Sequence, residues 1–217
     1  LEAFAPTMPV RMEVVFVDDG STDGSLDLLR KAHFRNFSAK IVKLSRNFGS
    51  HPAVRAGFLN AGAPNCVWLG ADLQEPLEII RLGYQKIREG YDLVCVQKKN
   101  VKVGKSEKLF SNTYSRLIRK YAIPGYPPDG VNTVFFNEKV KRELNRNIES
   151  NSSVVLQVLN LGFKQTTLDV EYRERVHGRS KWSFGKKMKL MIDSFVAFSF
   201  FPIRMVSAMG FIFAIIG

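Results

Sequence analysis

The sequence has 217 residues, of which 45% are hydrophobic, and this is enough for one globular domain with a sizeable core. Its 32 Lys and Arg against 20 Asp and Glu give a net charge of +12, which predicts a polyanionic partner: nucleic acid, an anionic membrane surface or a phosphorylated substrate. The cysteines and histidines show no metal-ligand spacing, which argues against a zinc site. Cys66 and Cys95 lie in apolar, strand-like runs and are predicted to be reduced core thiols.

Strand-like and helix-like segments alternate through the first two thirds of the chain. The predicted strands cover residues 13–17, 41–44, 66–69 and 92–96, and a helix follows each of the first three. Ser21-Thr22-Asp23 is predicted to cap the first helix. Near-continuous apolar strands separated by helices predict a mostly parallel sheet covered on both faces, with ligands beyond the carboxyl ends of the strands.

The pattern changes after residue 106. Predicted helices cover residues 106–121, 139–146 and 152–161, and predicted strands cover 131–136 and 164–170. The apolar residues between Phe184 and Phe195 recur on one helix face, which predicts a helix in the membrane interface; packing on the domain core is the alternative. Residues 205–217 are apolar and are interpreted as the start of a transmembrane helix, with a buried core helix as the alternative.

The motif VDDGSTDGS, residues 17–25, places two consecutive carboxylates at the end of the first strand. Carboxylates at such a position are costly if they are buried without partners, and they are explained if they accept hydrogen bonds from NH and OH groups of a ligand. The alternative is that the motif only caps the following helix.

Four blocks in order resemble the family 2 glycosyltransferases of the GT-A fold, in their polyprenyl/dolichyl-phosphate sugar transferase subgroup. They are VDDGSTDGS, LSRNFGSHPAVRAGF (residues 44–58), GADLQEP (residues 70–76) and HGRSKWSFGKKMKL (residues 177–190). The resemblance implies that the first two blocks bind the nucleotide of a nucleotide-sugar donor, through Asp18, Asp19, Ser21 and Asn47.

The block GADLQEP stands where the family has its Asp-Ala-Asp-Leu-Gln-Asp-Pro metal motif. The resemblance therefore implies Mg²⁺ or Mn²⁺, with Asp72 and Gln74 as the metal residues and Asp72 also as a catalytic residue. Gly70 replaces the first Asp of the motif and Glu75 replaces the last, so weaker metal binding is expected. The alternative is that Asp72 only caps a helix.

A second departure from the family pattern is Asn132, which stands where relatives carry an Asp thought to act on the acceptor phosphate. Asn132 cannot act as a base, but a phosphate monoester is already largely ionised near neutral pH. Asp129 is an alternative substitute for that Asp. The two departures leave open a second hypothesis, a catalytically impaired family member that serves as a lipid- or partner-binding scaffold.

The basic stretch of residues 173–189 contains seven Lys or Arg and one acid. By resemblance, Arg175, Arg179 and Lys181 are predicted to bind the lipid phosphate, because the planar guanidinium matches phosphate geometry. Attraction to anionic headgroups and a solvated basic surface are the alternatives. The lysines of the following helix are expected to share in the lipid attraction; they are Lys186, Lys187 and Lys189.

The predicted fold is α/β: a GT-A, Rossmann-like, mostly parallel sheet with flanking helices, then juxtamembrane helices and a truncated transmembrane segment. The predicted divisions are a glycosyltransferase domain in residues 1–183, an amphipathic segment in 184–204 and the start of a membrane helix in 205–217. The family's first strand and its acidic turn are expected to precede residue 1.

The predicted activity is inverting transfer of a sugar from a nucleotide-sugar donor to a polyprenyl phosphate. The protein is expected at the membrane, with its catalytic domain on the cytoplasmic side. The clustering of aromatic residues in the C-terminal apolar segments, away from the basic ones, argues against nucleic acid as the partner. Homo-oligomerisation is left open.

Overall fold

The computed structural model describes residues 1–72, 74–99, 105–147, 153–172 and 184–216. It contains two β-sheets and the helices that pack on them. Six strands and eight α-helices are named in the paragraphs that follow, and a short 3₁₀ helix, Ala5–Thr7, precedes them.

The first sheet consists of two parallel strands. Strand β1 (Glu13–Asp18) pairs with β2 (Ser38–Lys43), and the register places Asp18 opposite Lys43. Helix α1 (Ser25–Lys31) connects the two strands, and α2 (Ser50–Asn60) follows β2 and packs on β1. The β1–β2 pair is only partly covered, since none of its residues except Asp18 is fully buried.

Helix α1 begins later than the sequence predicted. Its N-cap is Gly24, with φ of 76°, and no side chain caps the helix in the usual way. Asp23 instead accepts hydrogen bonds from the amide and the hydroxyl of Ser25, at 3.1 and 2.6 Å. The prediction that Ser21-Thr22-Asp23 caps the helix was therefore wrong in position, because the chain makes a left-handed turn at Gly24 before the helix starts.

The second sheet has the strand order β3-β5-β4-β6. Its strands are β3 (Cys66–Val67), β4 (Leu93–Lys98), β5 (Thr133–Phe136) and β6 (Gln165–Val170). The helices of this part are α3 (Glu78–Arg88), α4 (Lys105–Tyr121), α5 (Glu138–Arg146) and α6 (Val154–Asn160).

The prediction of a mostly parallel sheet was wrong. Strand β5 lies between β3 and β4 and is antiparallel to both, whereas β4 and β6 are parallel. The error has a physical reason: a continuous apolar run shows that both faces of a strand are buried, and it carries no information about strand direction. The α/β class and the alternation of strands with helices were confirmed.

The main core surrounds β4 and β5. Leu93, Val94, Cys95 and Val96 are fully buried, and the ring of Phe136 meets that of Phe58 edge-on at 4.8 Å. Cys66 and Cys95 are free and buried, as predicted, and burial raises the pKa of their thiols to about 11 and about 12.

Helices α7 (Phe184–Phe198) and α8 (Phe201–Ile216) end the described chain. Phe195 and Phe198 of α7 pack against the main core, whereas Ile192 and Val196 are exposed. The ring of Tyr121, at the end of α4, lies 6.1 Å from that of Phe195 and 4.5 Å from that of Phe201. One face of α7 thus packs on the domain, as the alternative interpretation expected, while α8 has no buried residue.

No helix among the described residues has by itself the length and hydropathy that a membrane span requires. Two neighbouring segments, Ile192–Phe198 and Phe201–Ile216, meet the criterion together, although they are bent by 83° at the break between them.

Candidate active site

The first acidic motif forms a turn, residues 18–21, at the carboxyl end of β1; we call it the β1 turn. Asp18 is 4% exposed, and its Oδ1 accepts a hydrogen bond of 3.0 Å from the Ser21 amide. Hydrogen bonds from the Ser21 hydroxyl and amide lower the pKa of the Asp18 carboxyl, and the charge of Lys43 lowers it further. Within the described chain, Oδ2 of Asp18 is buried without a hydrogen-bond partner. An ionised carboxylate with one buried oxygen that lacks a partner is suited to accept a hydrogen bond from a ligand.

Asp19 fastens the β1 turn to the loop after β2. Its Oδ1 accepts from the Phe48 amide at 2.8 Å, and its Oδ2 accepts from the Gly49 amide at 2.9 Å. The two loops approach each other at Gly20, where a Cβ would lie 2.6 Å from the carbonyl carbon of Arg46 and 2.7 Å from the Asn47 amide. The φ of Gly20 is 73°, so this position favours glycine on two grounds.

The structure therefore brings together all four residues for which a nucleotide role was predicted: Asp18, Asp19, Ser21 and Asn47. The clearest function of Asp19 in the geometry is structural, because each of its oxygens already accepts a backbone hydrogen bond. His51, near the start of α2, has its Nε2 enclosed without a partner among the described residues, and burial lowers its pKa.

The second acidic motif, residues 70–72 with 74 and 75, follows β3; we call it the β3 turn. Glu75 Oε2 accepts a hydrogen bond of 3.2 Å from the Gly70 amide, and Asp72 Oδ1 accepts one of 3.4 Å from the Gln74 amide. A Cβ built on Gly70 would lie 2.9 Å from Asp72 Oδ1 and 3.2 Å from Glu75 Oε2. The carboxylates of Asp72 and Glu75 therefore converge on the space beside Gly70.

The electrostatics of Glu75 agree with this convergence. Burial raises the pKa of the Glu75 carboxyl and the charge of Asp72 raises it further, whereas the Gly70 amide and the charge of Lys98 lower it. The hydroxyl of Tyr172 is buried without a hydrogen-bond partner in the described part of the chain. Its pKa is raised by burial and, in addition, by the charge of Glu75.

Sheet topology gathers these groups at one edge. Since β5 runs antiparallel to β3 and β4, its first residue lies beside the carboxyl ends of both strands. The backbone amide of Asn132, just before β5, donates a hydrogen bond of 2.9 Å to the Val96 carbonyl. The side-chain Oδ1 of Asn132 accepts a hydrogen bond of 3.1 Å from the Lys98 backbone amide. The amine of Lys98 lies 5.4 Å from the centre of the Tyr172 ring. Asn132 is thus bonded to the backbone of β4 at the edge that holds the β3 turn.

The β3 turn offers oxygen atoms of the kind that a hard divalent cation prefers. Asp72 and Glu75 contribute carboxylate oxygens beside Gly70, and the Tyr172 hydroxyl nearby lacks a partner among the described residues. No group of three or more His, Cys, Asp or Glu side chains among the described residues could hold a metal ion. A cation here would therefore need further oxygens from phosphate and water, which Mg²⁺ and Mn²⁺ accept.

Two residues of this edge were not assigned a role from the sequence. Lys98 and Tyr172 each stand two residues beyond a predicted strand, where no pattern marks them. The parallel pairing of β4 with β6, which places Lys98 opposite Val170, brings both to Glu75. Arg175, Arg179 and Lys181, predicted to bind the lipid phosphate, lie outside the described residues, as does Arg173.

Comparison with known proteins assigns the chain to a family. Residues 8–152 match the family described as Glycosyl transferase family 2, and the chain belongs to this family. It is 34% identical over 199 residues to the uncharacterized glycosyltransferase YkcC of Bacillus subtilis, with 91% of this chain and 62% of the relative covered. It is 32% identical over 213 residues to the undecaprenyl-phosphate 4-deoxy-4-formamido-L-arabinose transferase of Aeromonas hydrophila, with 94% and 63% covered. The chain thus spans less than two thirds of the length of these relatives.

Solved structures show the same fold at low sequence identity. The mannosyltransferase PcManGT of Pyrobaculum calidifontis, in complex with GDP-Man and Mn²⁺, matches with a TM-score of 0.52 and 18% identity, covering 77% of this chain and 48% of that one. S. aureus TarS 1-349 matches with a TM-score of 0.50 and 17% identity, covering 74% and 50%. The α/β fold predicted from the sequence is therefore confirmed as GT-A-like, with mixed rather than mostly parallel sheets.

Proposed function

We propose that the protein is an inverting glycosyltransferase that moves a sugar from a nucleotide-sugar donor to a polyprenyl phosphate at the membrane. The observation that supports this most directly is the convergence of Asp72 and Glu75 beside Gly70, at the edge of a family 2 glycosyltransferase fold. Relatives named as undecaprenyl-phosphate sugar transferases support the choice of acceptor.

The donor nucleotide is proposed to bind at the β1 turn and the loop after β2. The buried, unpartnered Oδ2 of Asp18 would accept a hydrogen bond from the nucleoside. Asp19 would hold the loop of residues 46–49 in place while Ser21 and Asn47 contact the nucleotide. In this proposal Asp18 binds the nucleoside, and Asp19 positions the loop that contacts the nucleotide.

The leaving diphosphate is proposed to lie at the β3 turn, where Asp72 and Gln74, with Glu75, would hold Mg²⁺ or Mn²⁺. A bound divalent cation would neutralise charge on the diphosphate as its bond to the sugar breaks. The Glu75 carboxylate lies beside Gly70, which carries no acidic oxygen of its own. Lys98 adds a positive charge near the same turn, and this charge lowers the pKa of Glu75.

In the proposed reaction an oxygen of the acceptor phosphate attacks the anomeric carbon as the nucleoside diphosphate leaves with its bonding electrons. The acceptor phosphate is largely ionised near neutral pH, so no side chain needs to remove a proton from it. Asn132 would then contribute by position rather than as a base, since its side chain is bonded to β4 at this edge. Catalysis would come from orientation and electrostatics. Arg175, Arg179 and Lys181 remain the proposed lipid-phosphate residues.

We place the catalytic domain in residues 1–183 and the membrane contact in residues 184–217. The support for the membrane contact is α8, whose apolar side chains are exposed; Ile203, Val206, Phe211, Phe213 and Ile216 are each more than 60% exposed. A continuous surface of exposed apolar residues marks a site of contact with a membrane or another protein. The cytoplasmic side is proposed because nucleotide sugars and acidic lipid headgroups are found there.

The scaffold hypothesis rests on the loss of carboxylates at positions 70 and 132. Asp72 and the Glu75 carboxylate both reach the space beside Gly70, so two acidic side chains remain at the β3 turn and we favour an active enzyme. The test is a thermal-shift panel of nucleotide sugars with and without Mg²⁺ and Mn²⁺, followed by transfer of a radiolabelled sugar to polyprenyl phosphate. We expect one donor, with metal, to raise the melting temperature by roughly 5 °C or more at a concentration far above its dissociation constant. If no donor shifts the transition and no transfer occurs, the scaffold hypothesis stands instead.

A further inference from the structure

The last turns of α4 carry three cations on one face of the helix. Arg116, Arg119 and Lys120 stand at positions i, i+3 and i+4, and all three are exposed. The opposite face is buried, with Ser115 2% and Ile118 0% exposed. We call these three residues the α4 basic cluster; they lie together on an open part of the surface.

The cluster has no internal counter-charge. Within the described part of the chain, none of the three side chains forms an ion pair with an Asp or Glu. Like charges at these spacings repel one another and destabilise a helix. An anion bound beside the three cations would therefore reduce their mutual repulsion. Arginine side chains are well shaped to bind phosphate.

The position of the cluster indicates which anion. Tyr121, the residue after Lys120, packs on Phe195 of α7 and on Phe201, the first residue of α8. The amine of Lys120 lies 5.0 Å from the centre of the Tyr121 ring. The cluster is thus next to the base of the exposed apolar helix α8. A bilayer presents this combination, since hydrocarbon lies directly beneath a layer of phosphate groups.

We infer that the α4 basic cluster is a docking site for the phosphate groups of anionic membrane phospholipids, beside the point where α8 enters the bilayer. The cluster is separate in sequence from the lysines of α7 and from the residues proposed to bind the acceptor phosphate. The inference deepens the proposed membrane attachment and rests on it. It adds a fixed anchoring point that orients the catalytic domain relative to the membrane plane.

The test compares two triple variants of the 217-residue chain by vesicle flotation. The cluster variant is Arg116→Gln, Arg119→Gln, Lys120→Gln. The control variant is Lys139→Gln, Arg142→Gln, Arg146→Gln, which removes the same residue types and the same charge from exposed positions on α5. Vesicles of phosphatidylcholine alone are compared with vesicles that also contain phosphatidylglycerol.

We expect the cluster variant to lose on the order of 100-fold in partitioning to the anionic vesicles, since each cation near such a surface contributes severalfold. Its binding to neutral vesicles should match that of the parent, and the control variant should change little on either vesicle. An unchanged cluster variant, or equal losses in both variants, would overturn the inference. So would the abolition of the anionic preference by millimolar inorganic phosphate at constant ionic strength, which would point to a site for free phosphate.

The neutral vesicles separate this inference from the proposed function. If the parent binds neutral vesicles and the cluster variant keeps the anionic preference, the docking site is wrong while membrane attachment stands. If the parent binds neither vesicle, both the attachment and the docking site are wrong. Circular dichroism and the melting temperature of each variant verify that the fold is intact.

Discussion

The β1 turn and the β3 turn both place acidic residues after a strand, but the electrostatics of their carboxylates differ. In the β1 turn Asp19 accepts hydrogen bonds from two amides and Asp18 from one, and hydrogen bonds lower the pKa of Asp18. In the β3 turn Asp72 and Glu75 approach each other, and burial and repulsion raise the pKa of Glu75.

The difference teaches what each turn can do. A carboxylate whose two oxygens both accept backbone hydrogen bonds, such as that of Asp19, stabilises a loop. Carboxylates that repel one another are stabilised by a cation between or beside them, which is the property that a metal site requires. The first turn is therefore expected to govern stability and nucleotide position, and the second is expected to govern metal binding and chemistry.

The largest effect is expected for Asp72→Asn. The change keeps the shape of the side chain but removes the charge, so transfer should fall by at least 100-fold, because metal charge stabilisation is worth several kcal/mol. Measurement is by transfer of labelled sugar to polyprenyl phosphate, with the melting temperature as a check on folding. Asp27→Asn, on the exposed face of α1, serves as the control. Near-parental transfer by Asp72→Asn would remove Asp72 from the proposed site.

A smaller effect, and one on stability, is expected for Asp19→Ala. It removes the acceptor of two backbone hydrogen bonds, and hydrogen bonds to charged groups are worth about 1.5–3 kcal/mol each. Since the loop is partly exposed, we expect the free energy of unfolding to fall by about 2 kcal/mol in a urea titration. Asp19→Asn keeps one acceptor and should lose about half as much. Equal stability of Asp19→Ala and the parent would mean that Asp19 does not hold the loop.

The sequence predicted the location of both turns, because the motifs VDDGSTDGS and GADLQEP are visible without a structure. It did not predict how the acids are used. The partners of Asp19 are amides 29 and 30 residues away, and only the folded loop brings them near. Likewise, the sequence displayed Gly70 and Glu75 as two separate departures from the family pattern, but their proximity depends on the path of the β3 turn.

The same limit applies to the larger architecture. Strand positions followed from apolar runs and were predicted to within a few residues, whereas the direction of β5 was not. Its insertion between β3 and β4 depends on the long connection through α4, which no local pattern encodes. The placement of Asn132, Lys98 and Tyr172 at one edge is a consequence of that topology and of the β4–β6 pairing.

The smallest and most specific effect concerns Gly70 and Glu75 as a pair. If Glu75 supplies the carboxylate that residue 70 lacks, Glu75→Gln should weaken Mn²⁺ binding about tenfold, which corresponds to about 1.4 kcal/mol. Gly70→Asp alone should change the affinity less than about threefold, because its Cβ enters space already approached by Asp72 Oδ1 and Glu75 Oε2 and these side-chain ends must move aside.

The double variant Gly70→Asp, Glu75→Gln tests whether residues 70 and 75 serve the same metal site. It should restore the Mn²⁺ affinity of the parent, since one carboxylate is exchanged for another at the same place. The coupling free energy between the two substitutions should then be close in size to the binding free energy lost in Glu75→Gln alone. Affinities are measured by calorimetric titration of Mn²⁺ in the presence of the stabilising nucleotide. Additive effects in the double variant would show that residues 70 and 75 act on separate sites. A full rescue would show that residues 70 and 75 can supply an acidic oxygen to the same metal site.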